Sequence, residues 1–421
     1  MTFPTRIFRA PVGVIVLLVC ALPLLSGCDE GSLNAPEIQS GGENGDLFTS
    51  YVALGNSITA GFQSAGINSS TQSDSYAAIL SEKMNTPFGL PLLSNPGCPP
   101  PIQSLTPSPP QTRCAFRSSS STQVRNVAVP GAALSDILSN DDPNAPDIPP
   151  GPNQLTQFIL GGRTQIDAAL DASPTFATIW AGNNDILGAA QAGTVSLATD
   201  SAQFASRYKS ITQRLQNEAP LKGAVLIGVA DLKKVPGIFL GQAYFSFFRD
   251  NTGEFPSNFS VSSTCAPGSM VPGAKGDVNQ ISFLFFLNQV NEAFSKPNES
   301  FEVGCLDNDP GSLTPNEIDD LSTRSQEYNN AIETIASENE QLAFFNPNTA
   351  FTALENQGEI PTVPDTDSDQ PFGRFFSLDG VHPSSLTHRV VAAQLIEIIN
   401  AEYGAELSAP QLPPEVAQLL N

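Results

Sequence analysis

Only two histidines stand among the 421 residues, His382 and His388. The first lies in Leu378-Asp379-Gly380-Val381-His382-Pro383-Ser384, three residues after a carboxylate. One turn can therefore supply an imidazole that takes a proton near neutral pH and a carboxylate that fixes its tautomer. Such a base is useful beside a hydroxyl, because serine is a poor nucleophile until its proton is removed. Ser57 suits that role. It stands in Gly55-Asn56-Ser57-Ile58-Thr59-Ala60-Gly61-Phe62, where an apolar run ends and a helical one begins. Small neighbours let a carbonyl approach, and N–H groups at a helix start point at developing negative charge. Taken alone, the same turn would serve simply to cap a helix. His388 falls early in a long amphipathic stretch and reads as a surface or helix-packing residue.

The elements that would position these groups come next. From Leu47 onward short apolar runs alternate with helical ones, the pattern of an α/β fold with a parallel sheet. Candidate strands are Thr49–Leu54, Val124–Val129, Thr175–Trp180, Ala224–Val229 and Leu342–Phe345. Helices are expected near Tyr76–Met84, Gln165–Leu170, Ala202–Asn217 and Glu317–Ser337. A last one, Leu386–Tyr403, repeats apolar residues at three-to-four spacing. Two strands run into further groups of interest. Asn126-Val127-Ala128-Val129-Pro130-Gly131 ends in a glycine, and Trp180-Ala181-Gly182-Asn183-Asn184-Asp185 carries a glycine and side-chain amides. In an open parallel sheet the carboxyl ends of the strands gather at one edge, where ligands bind. The four segments are expected to meet there. An amide donor such as Asn184 is worth about 3 kcal/mol to an oxyanion.

In this order the four segments resemble the sequence blocks of the SGNH hydrolases, the GDSL-type esterases and lipases. The resemblance covers roughly Tyr51 to Tyr403, with long insertions. It implies a three-layer α/β/α domain with a flavodoxin-like parallel sheet, cleaving a small-molecule or lipid ester through an acyl-enzyme. No metal or other cofactor is expected. It implies Ser57 as nucleophile, His382 as general base and Asp379 as the group that orients the histidine. It also implies an oxyanion hole made by the Ser57 and Gly131 N–H groups and the Asn184 amide. One departure stands out: the family's aspartate before the serine is Asn56 here. That aspartate is not the triad acid, so activity is expected to survive the change. Two alternatives are a carbohydrate deacetylase of the same family and a catalytically inactive surface-binding lipoprotein on this scaffold. The presence of Ser57, Asn184, Asp379 and His382 together argues against the second, since binding alone would not require all four.

The ends and the loops carry other signals. Arg6 and Arg9 precede an apolar run, Val12 to Leu25, too short and broken to favour a spanning helix. It ends in Leu25-Ser26-Gly27-Cys28, which resembles the lipobox of bacterial lipoproteins. The resemblance implies cleavage after residue 27, acylation of Cys28 and a membrane-anchored protein of the bacterial cell envelope. Residues 28–46 read as a flexible tether, 47–405 as the catalytic domain and 406–421 as a C-terminal tail. Four cysteines remain, Cys98, Cys114, Cys265 and Cys305, an even number for an oxidising compartment. Three pairings are possible, and proximity favours Cys98 with Cys114 and Cys265 with Cys305. The chain holds 19 basic against 42 acidic residues, a field that repels nucleic acid. The acidic run Asp365-Thr366-Asp367-Ser368-Asp369 lacks the glycine and glutamate of a calcium loop and reads as solvated.

An insertion over about 233–314 breaks the α/β rhythm. Between Val235 and Cys305 it carries 11 of the chain's 26 phenylalanines. Those rings could form the core of a small cap, or line an acyl pocket beside Ser57 that favours chains longer than acetyl. A cap can do both.

Overall fold

The computed structural model describes residues 46–105, 108–109, 123–140, 153–361, 364–365 and 368–419. The expected signal segment, Cys28, its tether up to residue 45, and Cys114 lie outside the described residues. The central sheet joins strands β1 (Tyr51–Gly55), β2 (Phe176–Trp180) and β3 (Gly223–Ile227) to a fourth, Leu342–Phe345. All three pairings are parallel, with Tyr51 opposite Phe176, Phe176 opposite Gly223 and Ala224 opposite Leu342.

Every residue of β1, β2 and β3 is buried, because helices cover both faces of the sheet. The two-residue period of a strand divides them. Val52, Leu54, Ala177, Ile179, Ala224 and Leu226 face a core shared with helices Gln165–Asp171, Ser201–Glu218 and Pro315–Ser337. Tyr51, Ala53, Phe176, Trp180, Val225 and Ile227 face the other, with helices Tyr76–Lys83 and Ser385–Tyr403. This is the expected three-layer arrangement.

The remaining candidate strand, Val124–Val129, is not a regular strand. It lies along the free edge of β1 through one parallel bridge, Ala53 to Asn126. Ala53 donates to the Arg125 carbonyl, and Val127 and Val129 donate to the Ala53 and Gly55 carbonyls. The Asn126 side chain accepts from the Ala128 N–H, two residues on, and donates to the Thr59 carbonyl. Such a local side-chain bond bends the backbone out of an extended ladder. The segment still occupies the position that gives the sheet its flavodoxin-like order, with β1 second from the edge.

The insertion folds into a small cap. Strands Ile238–Leu240, Gln280–Ser282 and Ser312–Leu313 form an antiparallel sheet, and Phe259–Val261 pairs with Phe301–Val303. Helices Gly241–Asp250 and Phe283–Ser295 lie between them. The phenylalanines pack on one another: Phe239 stacks on Tyr244 at 4.5 Å, and Phe259 meets Phe255 at 5.4 Å and Phe286 at 5.5 Å. Five of the eleven phenylalanines are buried in this way, as a cap core requires, while the other six are half-buried. Phe372, Phe375 and Phe376 join this core from the segment before His382, and Val416 joins it from the short helix Pro414–Leu419. The C-terminal stretch is thus packed, with Val416 fully buried.

Cys265 and Cys305 form a disulfide across 40 residues of this cap. Cys98 is also disulfide-bonded. Closing a loop of that length restricts the unfolded chain by an amount worth about 2–4 kcal/mol. The double substitution Cys265→Ala/Cys305→Ala should lower the urea unfolding midpoint accordingly, and an unchanged midpoint would show that the bridge adds nothing to cap stability.

Candidate active site

The site begins where β1 ends. Gly55 takes a φ of +154°, and a Cβ there would lie 2.4 Å from the Trp180 carbonyl oxygen and 2.5 Å from Thr59 Oγ1. Only glycine fits between β1, β2 and the turn. The chain passes directly into the short helix Ser57–Ala60, capped by Asn56, whose side-chain oxygen accepts the Ile58 N–H at 3.2 Å. Asn56 thus performs the cap that a carboxylate would, while its buried Nδ2 has no hydrogen-bond partner among the described residues. Ser57 starts this helix at 9% exposure.

Three predicted residues meet here across 325 positions of sequence. His382 Nε2 lies 2.9 Å from Ser57 Oγ, and its Nδ1 lies 2.8 Å from Asp379 Oδ2. An ionised carboxylate can only accept, so Nδ1 carries the proton and Nε2 is left to receive that of Ser57. Phe62, from the nucleophile's own segment, packs its ring 4.8 Å from the imidazole. Among the described residues it is this ring, tilted by 49°, and none from the insertion, that packs against His382.

Asp379 is fully buried, yet five donors converge on it. Oδ2 accepts from His382 Nδ1 and from the Ala65 N–H at 2.6 Å. Oδ1 accepts from the N–H groups of Val381 and His382 at 2.9 and 2.8 Å, and from Ser377 Oγ at 3.2 Å. Burial alone would raise its pKa. The charge and hydrogen bonds of His382, with the backbone donors, outweigh burial and bring it down to about 2. The carboxylate therefore stays ionised throughout the working range of an imidazole.

The donor at Ala65 comes from an unusual turn. Ser64 and Ala65 both adopt left-handed backbone, with φ of 55° and 53°. For residues with a Cβ this conformation costs roughly 1–2 kcal/mol each. The surrounding contacts hold it in place: Gln63 and Gly66 exchange two backbone hydrogen bonds across it.

The predicted oxyanion groups lie on two neighbouring turns, both tied down. Val129 N–H bonds to the Gly55 carbonyl, which brings the Pro130–Gly131 turn beside Ser57. That turn is clamped on each side of its glycine. Asn153 Nδ2 donates to the Pro130 carbonyl, and Asn184 Nδ2 donates to the Ala132 carbonyl at 3.0 Å. Asp136 accepts the Ala133 N–H, and Asp185 accepts the Leu134 N–H at 3.0 Å. Gly131, left-handed at φ 78°, keeps its N–H free of protein acceptors among the described residues. One hydrogen of the Asn184 amide remains for a ligand.

Sequence reasoning missed several of these supports. Asp185 sits inside a quoted motif without having been given a role, while Asn153, Ser377 and the 64–65 turn carry no signature at all. His388, read as a surface or packing residue, is fully buried between helices; its Nδ1 accepts the Tyr76 N–H. Burial lowers its pKa to about 3, so it stays neutral.

A parallel sheet covered by helices on both faces carries, at its carboxyl edge, a hydroxyl, an imidazole and a carboxylate in hydrogen-bonded series. That combination defines a serine hydrolase on a three-layer α/β/α fold. The chain belongs to the GDSL-like lipase/acylhydrolase family, whose model matches residues 51–395, and it is a carboxylic ester hydrolase. No curated protein sequence matches it significantly. Among solved structures it is similar to a catalytic mutant of an acetylxylan esterase from Geobacillus stearothermophilus. There the identity is 10%, with 86% of this chain and 96% of the other covered, at a TM-score of 0.36. It is also similar to an extracellular lipase from Streptomyces rimosus, at 14% identity, 84% and 99% coverage and a TM-score of 0.37.

Asp185 offers a direct test of the clamp's energetics. Burial raises its pKa from 3.8 to about 6, against the hydrogen bonds of Leu134 and Thr199. The folded state therefore holds a proton that the unfolded chain releases between those values, and stability falls as pH rises through that window. Asn at this position buries no charge. Asp185→Asn should raise the melting temperature at pH 7.5, with the gain closing towards pH 4; a gain that does not depend on pH would contradict the buried-charge account.

Proposed function

We propose that Ser57 attacks the carbonyl carbon of an ester while its proton passes to His382 Nε2. The observation that carries this reading is the unbroken series from Ser57 Oγ through His382 to Asp379, with contacts of 2.9 and 2.8 Å. The imidazolium formed is stabilised by Asp379. Negative charge on the former carbonyl oxygen is met by the Ser57 and Gly131 N–H groups and the Asn184 amide. Collapse of the intermediate expels the alcohol, which takes its proton from His382 and leaves an acyl-enzyme. Water then gives a proton to His382 and attacks the acyl carbon, and His382 returns that proton to the departing Ser57 Oγ, which releases the acid and the free serine.

The same reading sets the expected substrate preference. Phe239, Phe255, Phe259, Phe283 and Phe286 are buried in the cap's own core, which leaves only the half-buried rings of the insertion as surface for an acyl chain. Esters of short acids, acetylated sugars among them, are the substrates expected on this reading. A fluorophosphonate should label Ser57, and Ser57→Ala and His382→Ala should each abolish turnover of p-nitrophenyl esters in a folded protein. Across acetate, butyrate and hexanoate, kcat/KM should rise by well under the roughly fourfold per methylene that full burial allows. Label retained by Ser57→Ala would refute the assignment of the nucleophile, and a steep rise with chain length would restore the acyl pocket.

The envelope location rests on sequence. We propose that Cys28 is acylated after removal of residues 1–27 and that residues 28–46 hold the catalytic domain off the membrane. Two or more acyl chains anchor stably where one binds marginally. Cys28→Ser should move the mature protein from the membrane to the soluble fraction; unchanged fractionation would contradict acylation at this residue.

A further inference from the structure

The nucleophile's segment and the acid–base turn are knitted by contacts that lie outside the Ser57–His382 pair. Ser64 N–H donates to Ser377 Oγ at 2.8 Å, and Ser377 Oγ donates onward to Asp379 Oδ1 at 3.2 Å. Ala65 N–H donates to Asp379 Oδ2 at 2.6 Å, and Leu378 N–H returns a bond to Ser64 Oγ at 3.3 Å. One turn later Ser385 Oγ reaches Gln63 Oε1 at 3.1 Å. The left-handed pair at 64 and 65 makes this possible, because it turns two successive N–H groups toward the acid–base turn, one to Ser377 Oγ and the next to Asp379 Oδ2. Neither residue is a glycine, so the turn persists only through what it binds.

We infer that Ser377 is a positioning residue: with the Ser64–Ala65 turn it clasps the triad acid to the nucleophile's loop and spreads the charge of Asp379. This rests on the reading of Ser57, His382 and Asp379 as the triad. Ser377 touches neither substrate nor the reacting atoms. It acts on the base through the carboxylate. With fewer donors on Asp379, its negative charge is less dispersed and holds the His382 proton more firmly. Removing the Ser377 hydroxyl takes away one donor directly. It also leaves the Ser64 N–H without its acceptor, which loosens the neighbouring Ala65 contact.

Other ionisable groups near the pair are few. His388, on helix Ser385–Tyr403, feels the charge of His382. Asp74 bonds to Ser385 Oγ, and Arg374 is paired with Glu359. None of these contacts involves Ser377, so its replacement leaves them in place.

The test compares pH–rate profiles of the full-length protein with p-nitrophenyl acetate. In Ser377→Ala, kcat should fall several-fold with little change in KM, and the acid limb should move to higher pH by about half a unit. Ser384→Ala is the control. It loses the cap of helix Ser385–Tyr403 and a bond to the Arg374 carbonyl, so it costs stability, but it touches no atom of Asp379. Its acid limb should stay at the parent position. Ser377→Thr, which keeps the oxygen, should restore the parent profile. An unmoved limb in Ser377→Ala, or an equal shift in Ser384→Ala, would overturn the proposal while leaving the triad intact. Full activity in Ser57→Ala would instead overturn the triad reading itself.

Discussion

An imidazole can take a proton from a hydroxyl only within hydrogen-bond reach, and here the two groups are 325 residues apart in sequence. The whole architecture serves that one distance. The parallel sheet delivers Ser57 at the carboxyl end of β1, while Asp379 and His382 arrive on a turn that belongs to no strand. That turn is located by what presses on it. Gly237, at the entry to the cap, approaches so closely that a Cβ would lie 2.8 Å from the Gly380 carbonyl oxygen, and one on Gly380 would lie 2.7 Å from the Phe372 ring. Phe372 in turn packs on Phe283 and Phe239. The aromatic cap thus supports the acid–base turn from behind.

Much of this was legible in the sequence because its signals are local. Apolar runs of four to six residues located β1, β2, β3 and the Leu342–Phe345 strand, and amphipathic periodicity located the long helices. Ser57, Asp379 and His382 were legible because each needs a particular residue type at a strand end or within one turn. Val124–Val129 failed as a strand for an equally local reason, the hydrogen bond from the Asn126 side chain to its own backbone. What stayed hidden was non-local. Ser377 is one serine among many, and its partner is a backbone N–H contributed 313 residues earlier. Nothing in Ser64-Ala65 announces left-handed backbone, since the sequence offers no glycine at the place where the turn needs one.

The insertion shows how composition can suggest function while packing assigns structure. Eleven phenylalanines beside a candidate nucleophile invite the picture of a lipid-binding pocket. Yet a cap of short strands and two helices has few other apolar side chains with which to exclude water. Five of its rings are buried in that core, in edge-to-face and stacked contacts, and one disulfide holds it further. An aromatic surplus in an inserted segment is the requirement of a small core before it is evidence of a ligand.

The short helix Pro414–Leu419 has a consequence for how the chain acquires this shape. Val416 joins a core whose other buried members run from Phe239 through Phe376 to Val390. Contacts between residues so far apart in sequence close large loops, so they form after the local packing of the cap helices. The sheet and the local contacts of the cap can therefore form before the Pro414–Leu419 helix docks on the core that backs the Asp379–His382 turn.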